Sequence, residues 1–282
     1  MSKITIKKIQ QLKNKNQKIA ALTAYDYSTA KYLDEAGVDI VLVGDSLANV
    51  ALGYDSTKSV SMTEMLIFVG AVARGVTNAM VIGDMPFMSY NISIEDALKN
   101  VSDMIKSGAN AVKIEGCNQY ILNLISRCTQ SGIPVLAHIG YTPQYENMLG
   151  GHSIQGKNCE TAEKMLQQAR ELESAGAFAV VLELVPEETA KYITENINIP
   201  TIGVGAGRFC SGHVLVSDDI FGKFSDYKPS FVRRYADMKS LIIDAAKSYC
   251  KDVRESAYPS DDEIFRLKED ERKNFIAKDM IC

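Results

Sequence analysis

The chain has 282 residues, 46% hydrophobic and 23% charged, the balance of a soluble globular protein and not of a disordered, collagen-like or coiled-coil chain. Its 31 Lys and Arg against 35 Asp and Glu leave a net charge of −4, and the lack of a basic excess argues against a nucleic-acid partner. None of the six cysteines forms a CxxC pair, so neither a zinc ribbon nor a dense disulfide scaffold is expected.

The opening MSKITIKKIQQLKNKNQK lacks the apolar core of a secretory signal. No apolar run reaches the roughly 18 residues of a membrane span. A cytoplasmic protein with reduced thiols and no membrane association is the expectation.

Residues 1–17 read as a polar, Lys-rich N-terminal extension whose amphipathic stretch, ITIKKIQQL, is a solvated helix or a frayed end. Short, β-branched and almost wholly apolar runs then recur at Ile19–Thr23, Ile40–Val43, Met80–Gly83, Ala111–Ile114, Val135–His138, Ala179–Leu182, Thr201–Val204 and His213–Val216. Four or five apolar residues in a row suit strands of a parallel sheet buried on both faces. Helix-like segments lie between most of them: Tyr27–Ala36, Thr63–Ala73, Glu95–Lys106 behind a Ser93 N-cap, Tyr120–Gln130, Thr161–Ser174 and Glu187–Glu195, with Phe231–Lys251 last. The junctions EAGVDIVLV, KSGANAVKI, QSGIPVLAH and SAGAFAVVL repeat a helix–Gly–strand pattern. From about Arg254 the chain turns densely charged, so residues 254–282 read as a C-terminal extension.

Eight strands alternating with about seven helices predict a (β/α)8 TIM barrel over residues 18–253, a single domain with short extensions at both ends. An open doubly wound sheet is the alternative, but the first strand is followed by TAYDYST, which has no glycine. The Gly-rich GVGAGRFCSG comes only after the seventh strand.

In such a barrel the chemistry sits at the C-terminal ends of the strands. Those ends carry Asp45 and Ser46, Asp84, Lys113 and Glu115, His138 and Glu183. Neighbouring strands lie about 4.8 Å apart, so Asp45, Asp84 and Glu115 can converge. Crowded carboxylates raise one another's pKa unless a cation neutralises them, and all-oxygen ligation suits a hard divalent metal, most simply Mg2+. Lys113 and Glu115, two apart on a strand, share a face. Taken singly, each residue has a structural reading as a helix cap, a turn residue, an ion pair or a satisfied core histidine. Five successive strand ends with ionisable groups favour a metal-assisted enzyme, and the kit reaches proton abstraction beside a metal-bound carbonyl.

The motifs VLVGDSLANVALGYDST, GDMPFMSY, GANAVKIEG, VLAHIGYTPQ, GGHSIQG, VLELVP and IPTIGVGAG, in this order, resemble the ketopantoate hydroxymethyltransferase family from about Ile4 to Phe265. The resemblance implies a (β/α)8 barrel assembled as a homodecamer. It implies transfer of a hydroxymethyl group from 5,10-methylenetetrahydrofolate to 3-methyl-2-oxobutanoate, giving 2-dehydropantoate and tetrahydrofolate, in pantothenate biosynthesis. By the same resemblance Asp45, Asp84 and Glu115 match Mg2+ ligands, and Asp45, Ser46, Asp84 and Lys113 match oxo-acid contacts. Glu183 matches the proton acceptor and His138 a pocket histidine. The chain departs from the usual pattern at Ala48-Asn49, at His152 and at Arg208-Phe209-Cys210. Two other readings compete. One is a Mg-dependent barrel of the phosphoenolpyruvate mutase/isocitrate lyase group, although the Cys-containing loop of the lyase branch is missing. The other is a catalytically dead barrel used as a scaffold, although all five strand-end groups are kept.

Overall fold

The computed structural model describes residues 3–223 and 228–279. The eight apolar runs form β1 (Ile19–Thr23), β2 (Ile40–Val43), β3 (Met80–Asp84), β4 (Ala111–Glu115), β5 (Val135–Gly140), β6 (Ala179–Glu183), β7 (Thr201–Val204) and β8 (Gly212–Leu215). Every strand pairs in parallel with its neighbours in chain order, and β8 returns to β1, so the sheet is a closed barrel. Helices stand between the strands close to where the sequence puts them, at Tyr27–Glu35, Met62–Gly75, Ile94–Lys106, Gln119–Gln130, Cys159–Ser174 and Glu187–Glu195.

The two-residue repeat of a strand sorts the side chains. Val41, Val81, Val112, Ile114, Val180 and Leu182 pack outward with helix residues such as Val69, Val101 and Leu124. Ile40, Leu42, Met80, Ile82, Ala111, Leu136, Ala179 and Val181 form a second cluster inside the barrel. Extending those inward columns by one repeat gives Asp84 after Ile82, His138 after Leu136 and Glu183 after Val181. In β4 the inward residues are Ala111, Lys113 and Glu115. The barrel interior is therefore aliphatic through its lower layers and charged in its top layer.

The N-terminal segment corrects an expectation. Residues Ile6–Asn14 form a helix capped by the Thr5 hydroxyl, and Ile9 and Leu12 are buried. Both join the inward-facing aliphatic cluster, because their i, i+3 spacing places them on one face. The Lys13 ammonium is tied to the carbonyls of Ile197 and Ile199, each at 2.7 Å. The helix is thus part of the barrel's packing and not a solvated or frayed end.

The C-terminal side also differs. The chain divides into two compact units, 1–234 and 235–282, so the division falls well before the expected residue 253. The long helix is Met238–Arg254, capped by Asp237, and it starts later than Phe231. In this second unit Tyr249 and Tyr258 meet edge to face at 5.6 Å, and no residue of Met238–Arg254 is buried.

Gly140, the last residue of β5, has φ +97°. A Cβ there would collide with the Glu183 carbonyl, so only glycine lets the ends of β5 and β6 close this tightly. Tyr141 N–H then donates to the Glu183 carbonyl at 2.8 Å. Leu184, the next residue, has φ +48°, a costly conformation for a branched side chain. The chain turns sharply away from the sheet immediately after Glu183.

One buried carboxylate ties the helix Tyr27–Glu35 to the turn before β3. Asp34 accepts hydrogen bonds from the backbone N–H of Ala79 at 2.7 Å, Asn78 at 2.9 Å and Thr77 at 3.1 Å. Burial disfavours its charge, but these donors outweigh that and hold its pKa below the usual carboxylate value. Asp34→Ala is expected to cost about 2–3 kcal/mol in urea unfolding at pH 7. Because the folded pKa is depressed, that stabilisation is complete above the unfolded-chain pKa of about 3.9. It is lost as pH falls through the folded value. The gap between wild type and variant should therefore close on acidification; a gap that widens below pH ~4 contradicts the assignment.

Candidate active site

The top layer of the barrel surrounds a cavity of ≈ 200 Å³ whose lining includes Asp45, Asp84, Lys113, Glu115, His138 and Glu183. Strand register brings all of these but Asp45 together. Asp84 lies opposite Lys113 across β3–β4, and Glu115 opposite His138 across β4–β5. Asp45 and Ser46 follow β2, and the Asp45 N–H donates to Asp84 Oδ2 at 3.1 Å.

Lys113 Nζ donates to Asp84 Oδ1 at 2.8 Å and Oδ2 at 2.7 Å, and reaches Glu115 Oε1 at 3.4 Å. His138 Nδ1 lies 3.2 Å from the same Glu115 oxygen. On its other side, His138 Nε2 is 3.4 Å from Glu183 Oε2 but not aligned for a hydrogen bond. Glu183 is the most open of the acids, with its side chain 20% exposed, where Asp84 and Glu115 are essentially sealed. Ser46 Oγ shares a 2.8 Å hydrogen bond with the Tyr25 hydroxyl.

Burial and the facing carboxylate of Asp84 push the Asp45 pKa well up. Burial raises Asp84 as well, against the pull of Lys113. Glu115 goes the other way: burial disfavours its charge, but Lys113 and His138 outweigh that and hold it low. Burial also works against charge on Lys113, yet the three acids keep it firmly protonated. For His138, burial and Lys113 oppose protonation, but Glu115 and Glu183 lift its pKa to about 9. Three buried carboxylates thus face two positive side chains, and Asp45 bears the imbalance.

Sequence reasoning passed over Gln144, which sits in the turn Pro143–Tyr145 after β5. Its Nε2 donates to Asp45 Oδ2 at 3.2 Å and to the Met85 carbonyl at 3.0 Å. Its backbone N–H donates to Glu115 Oε2 at 3.1 Å, and its Oε1 accepts from the buried Tyr90 hydroxyl at 2.7 Å. It lies in the quoted motif YTPQ, but a neutral amide gives no charge signal in a sequence. Of the departures, Ala48 is fully buried and Asn49 donates to the Tyr54 carbonyl at 2.7 Å. His152 stands edge-on to the Tyr141 ring at 4.7 Å and lines the cavity. Arg208 pairs with Glu187 at 3.1 Å and Lys191 lies 5.0 Å over the Phe209 ring, outside the cavity lining.

Oxygen donors for a hard cation are the carboxylates of Asp45, Asp84 and Glu115, and both Asp84 oxygens already accept from Lys113. Both Glu115 oxygens are already engaged, by His138 and Lys113 on one side and by the Gln144 N–H on the other. Among the described residues no three Asp, Glu, His or Cys side chains form a ready metal-ligand group. No described helix is long and apolar enough to cross a membrane.

The 3-methyl-2-oxobutanoate hydroxymethyltransferase of Clostridium botulinum (strain Loch Maree / Type A3) is 49% identical over 267 residues, 94% of this chain and 97% of that protein. The enzyme of the same name from Thermosipho melanesiensis is 50% identical over 263 residues, 93% of this chain and 99% of that protein. Among solved structures, a 2,3-dimethylmalate lyase described as a PEP mutase/isocitrate lyase superfamily member superposes with a TM-score of 0.59 at 16% identity. That match covers 99% of both chains, a likeness of fold alone. Residues 3–261 match the ketopantoate hydroxymethyltransferase family, and the chain belongs to that family.

Proposed function

We propose that this protein transfers a hydroxymethyl group from 5,10-methylenetetrahydrofolate to 3-methyl-2-oxobutanoate, with Glu183 as the base. Membership of the family supplies the reaction. The observation that carries the residue roles is the single cavity ringed by the inward top layer, in which the least buried acid, Glu183, faces the charged cluster across His138.

The donor set fits a divalent cation. Asp45, Asp84 and Glu115 offer hard carboxylate oxygens, and the excess of buried negative charge that raises Asp45 is what a cation would relieve. Mg2+ commonly binds through one or two carboxylates, with substrate and water completing its shell. Asp45, Asp84 and Glu115 are the carboxylates that would hold it in this reading, and Glu115 also fixes Lys113 and His138. When bound, the ion would act as a Lewis acid on the oxo acid's carbonyl.

The protein's own residues do the rest. Lys113, held in place by Asp84, presents an ammonium to the substrate's developing enolate oxygen. Ser46, oriented by Tyr25, donates to the oxo acid. Glu183 takes the proton from C3, and the C–H electron pair becomes the C2–C3 double bond of the enolate. His138 lies between Glu115 and Glu183 and orients the base. The enolate carbon then forms the C–C bond to the folate-derived methylene carbon. Water supplies the hydroxyl oxygen, and both bonds from the methylene carbon to folate nitrogens break, releasing tetrahydrofolate. Family resemblance also points to a cytoplasmic homodecamer.

Glu183→Gln should slow both deuterium exchange at C3 of 3-methyl-2-oxobutanoate and overall transfer by at least about 100-fold, followed by proton NMR. Near wild-type exchange in that variant shows that the base is another group. Asp45→Asn, which removes one cation ligand and the raised carboxyl, should weaken Mg2+ binding by about tenfold or more in calorimetric titration with the oxo acid present. Unchanged Mg2+ affinity rules Asp45 out as a ligand.

A further inference from the structure

One buried acid in the cavity wall is left over. Asp219 lies beyond β8 in the short helix Ser217–Ile220, is 9% exposed, and lines the same cavity as the charged cluster. It belongs to a different part of the wall. The ends of β2 to β6 contribute charged groups, while the side formed after β7 and β8 is apolar, built from Val204, Leu215, Val216, Pro229, Phe231 and Val232. Among the described residues, Asp219 is the single carboxylate on that apolar side.

Its neighbour Asp218 is already engaged. Lys223 pairs with Asp218 at 2.9 Å, and the Ser217 hydroxyl donates to it at 3.3 Å. Burial, reinforced by Asp218 and opposed by Arg234, lifts the Asp219 pKa to about 6. A carboxylate held out of water in an apolar wall is costly without a partner, and an ionised one can only accept hydrogen bonds. The complementary ligand is a flat ring with apolar faces and two adjacent N–H donors on one edge. The 2-amino-4-oxopyrimidine edge of a reduced folate has that pattern, in its ring N–H and exocyclic amino group.

We propose that Asp219 anchors the one-carbon donor, its carboxylate accepting paired hydrogen bonds from the aminopyrimidine edge while Phe231 and Val216 contact the ring. The inference rests on the folate-dependent reading above and adds a division of the cavity. The oxo acid occupies the charged β2–β6 side, and the donor occupies the apolar β7–β8 side. The methylene carbon is thereby presented across the cavity to the enolate formed beside Glu183. Paired hydrogen bonds to one carboxylate also fix orientation, which a lone contact does not.

The test is calorimetric titration of tetrahydrofolate into the full-length protein with Mg2+ and 3-methyl-2-oxobutanoate present, for wild type, Asp219→Asn and Asp219→Ala. Deuterium exchange at C3 is measured on the same samples. Both variants should bind tetrahydrofolate about 10- to 100-fold more weakly, and the ratio of transfer to exchange should fall in parallel. A 2-desamino analogue of tetrahydrofolate should bind wild type more weakly than tetrahydrofolate does, with no such difference in Asp219→Ala. Wild-type affinity in both variants, or transfer and exchange falling together at a constant ratio, overturns the assignment and leaves Asp219 a structural residue. If wild type itself binds no tetrahydrofolate, the folate-dependent reading fails first and this one with it.

Discussion

The Lys113 ammonium lies 2.7 Å from Asp84 and 3.4 Å from Glu115, inside a barrel whose lower layers are aliphatic. Charges so far from water persist only in company. Lys113 keeps Asp84 and Glu115 in place, Glu115 holds His138, and His138 stands beside Glu183. Removing any one member would leave the others as uncompensated buried charges. The register of β3, β4 and β5 sets these contacts, because Asp84 pairs with Lys113 and Glu115 with His138 directly across the sheet.

That dependence explains why so much of the site could be read from the chain. A strand's two-residue repeat, once the aliphatic runs are aligned as parallel strands, fixes which residues face inward. Asp84, Lys113, Glu115, His138 and Glu183 all fall on the inward column at or next to the last paired position. The barrel followed from the eight runs and their intervening helices for the same reason. Gly140 and Leu184, with their positive φ values, serve the one place where the pleat must end abruptly to leave Glu183 at the cavity edge.

What the sequence hid falls into kinds. Gln144 carries no charge, yet it links Asp45, Glu115 and Tyr90 through one amide and one backbone N–H. Asp219 follows β8 beside Asp218, and both are buried; only the cavity that Asp219 lines and the Lys223 partner of Asp218 tell the two apart. The N-terminal helix looked solvated because Ile9 and Leu12 are only two apolar contacts in a Lys-rich stretch. Their burial depends on the barrel they join. That the oxygens of Glu115 and of Asp84 all meet protein donors is visible only in the distances. In the C-terminal direction, helical periodicity placed a helix at Phe231–Lys251 where the structure has Met238–Arg254, and gave no indication that the compact barrel unit ends at Arg234.

The central claim is that this cavity removes a proton from C3 of an oxo acid by means of its charged top layer. Solvent deuterium exchange into 3-methyl-2-oxobutanoate by the wild-type protein tests it most directly. The account predicts exchange at C3 that saturates with oxo acid and depends on added divalent cation. Absence of exchange with Mg2+ and tetrahydrofolate both present would contradict it.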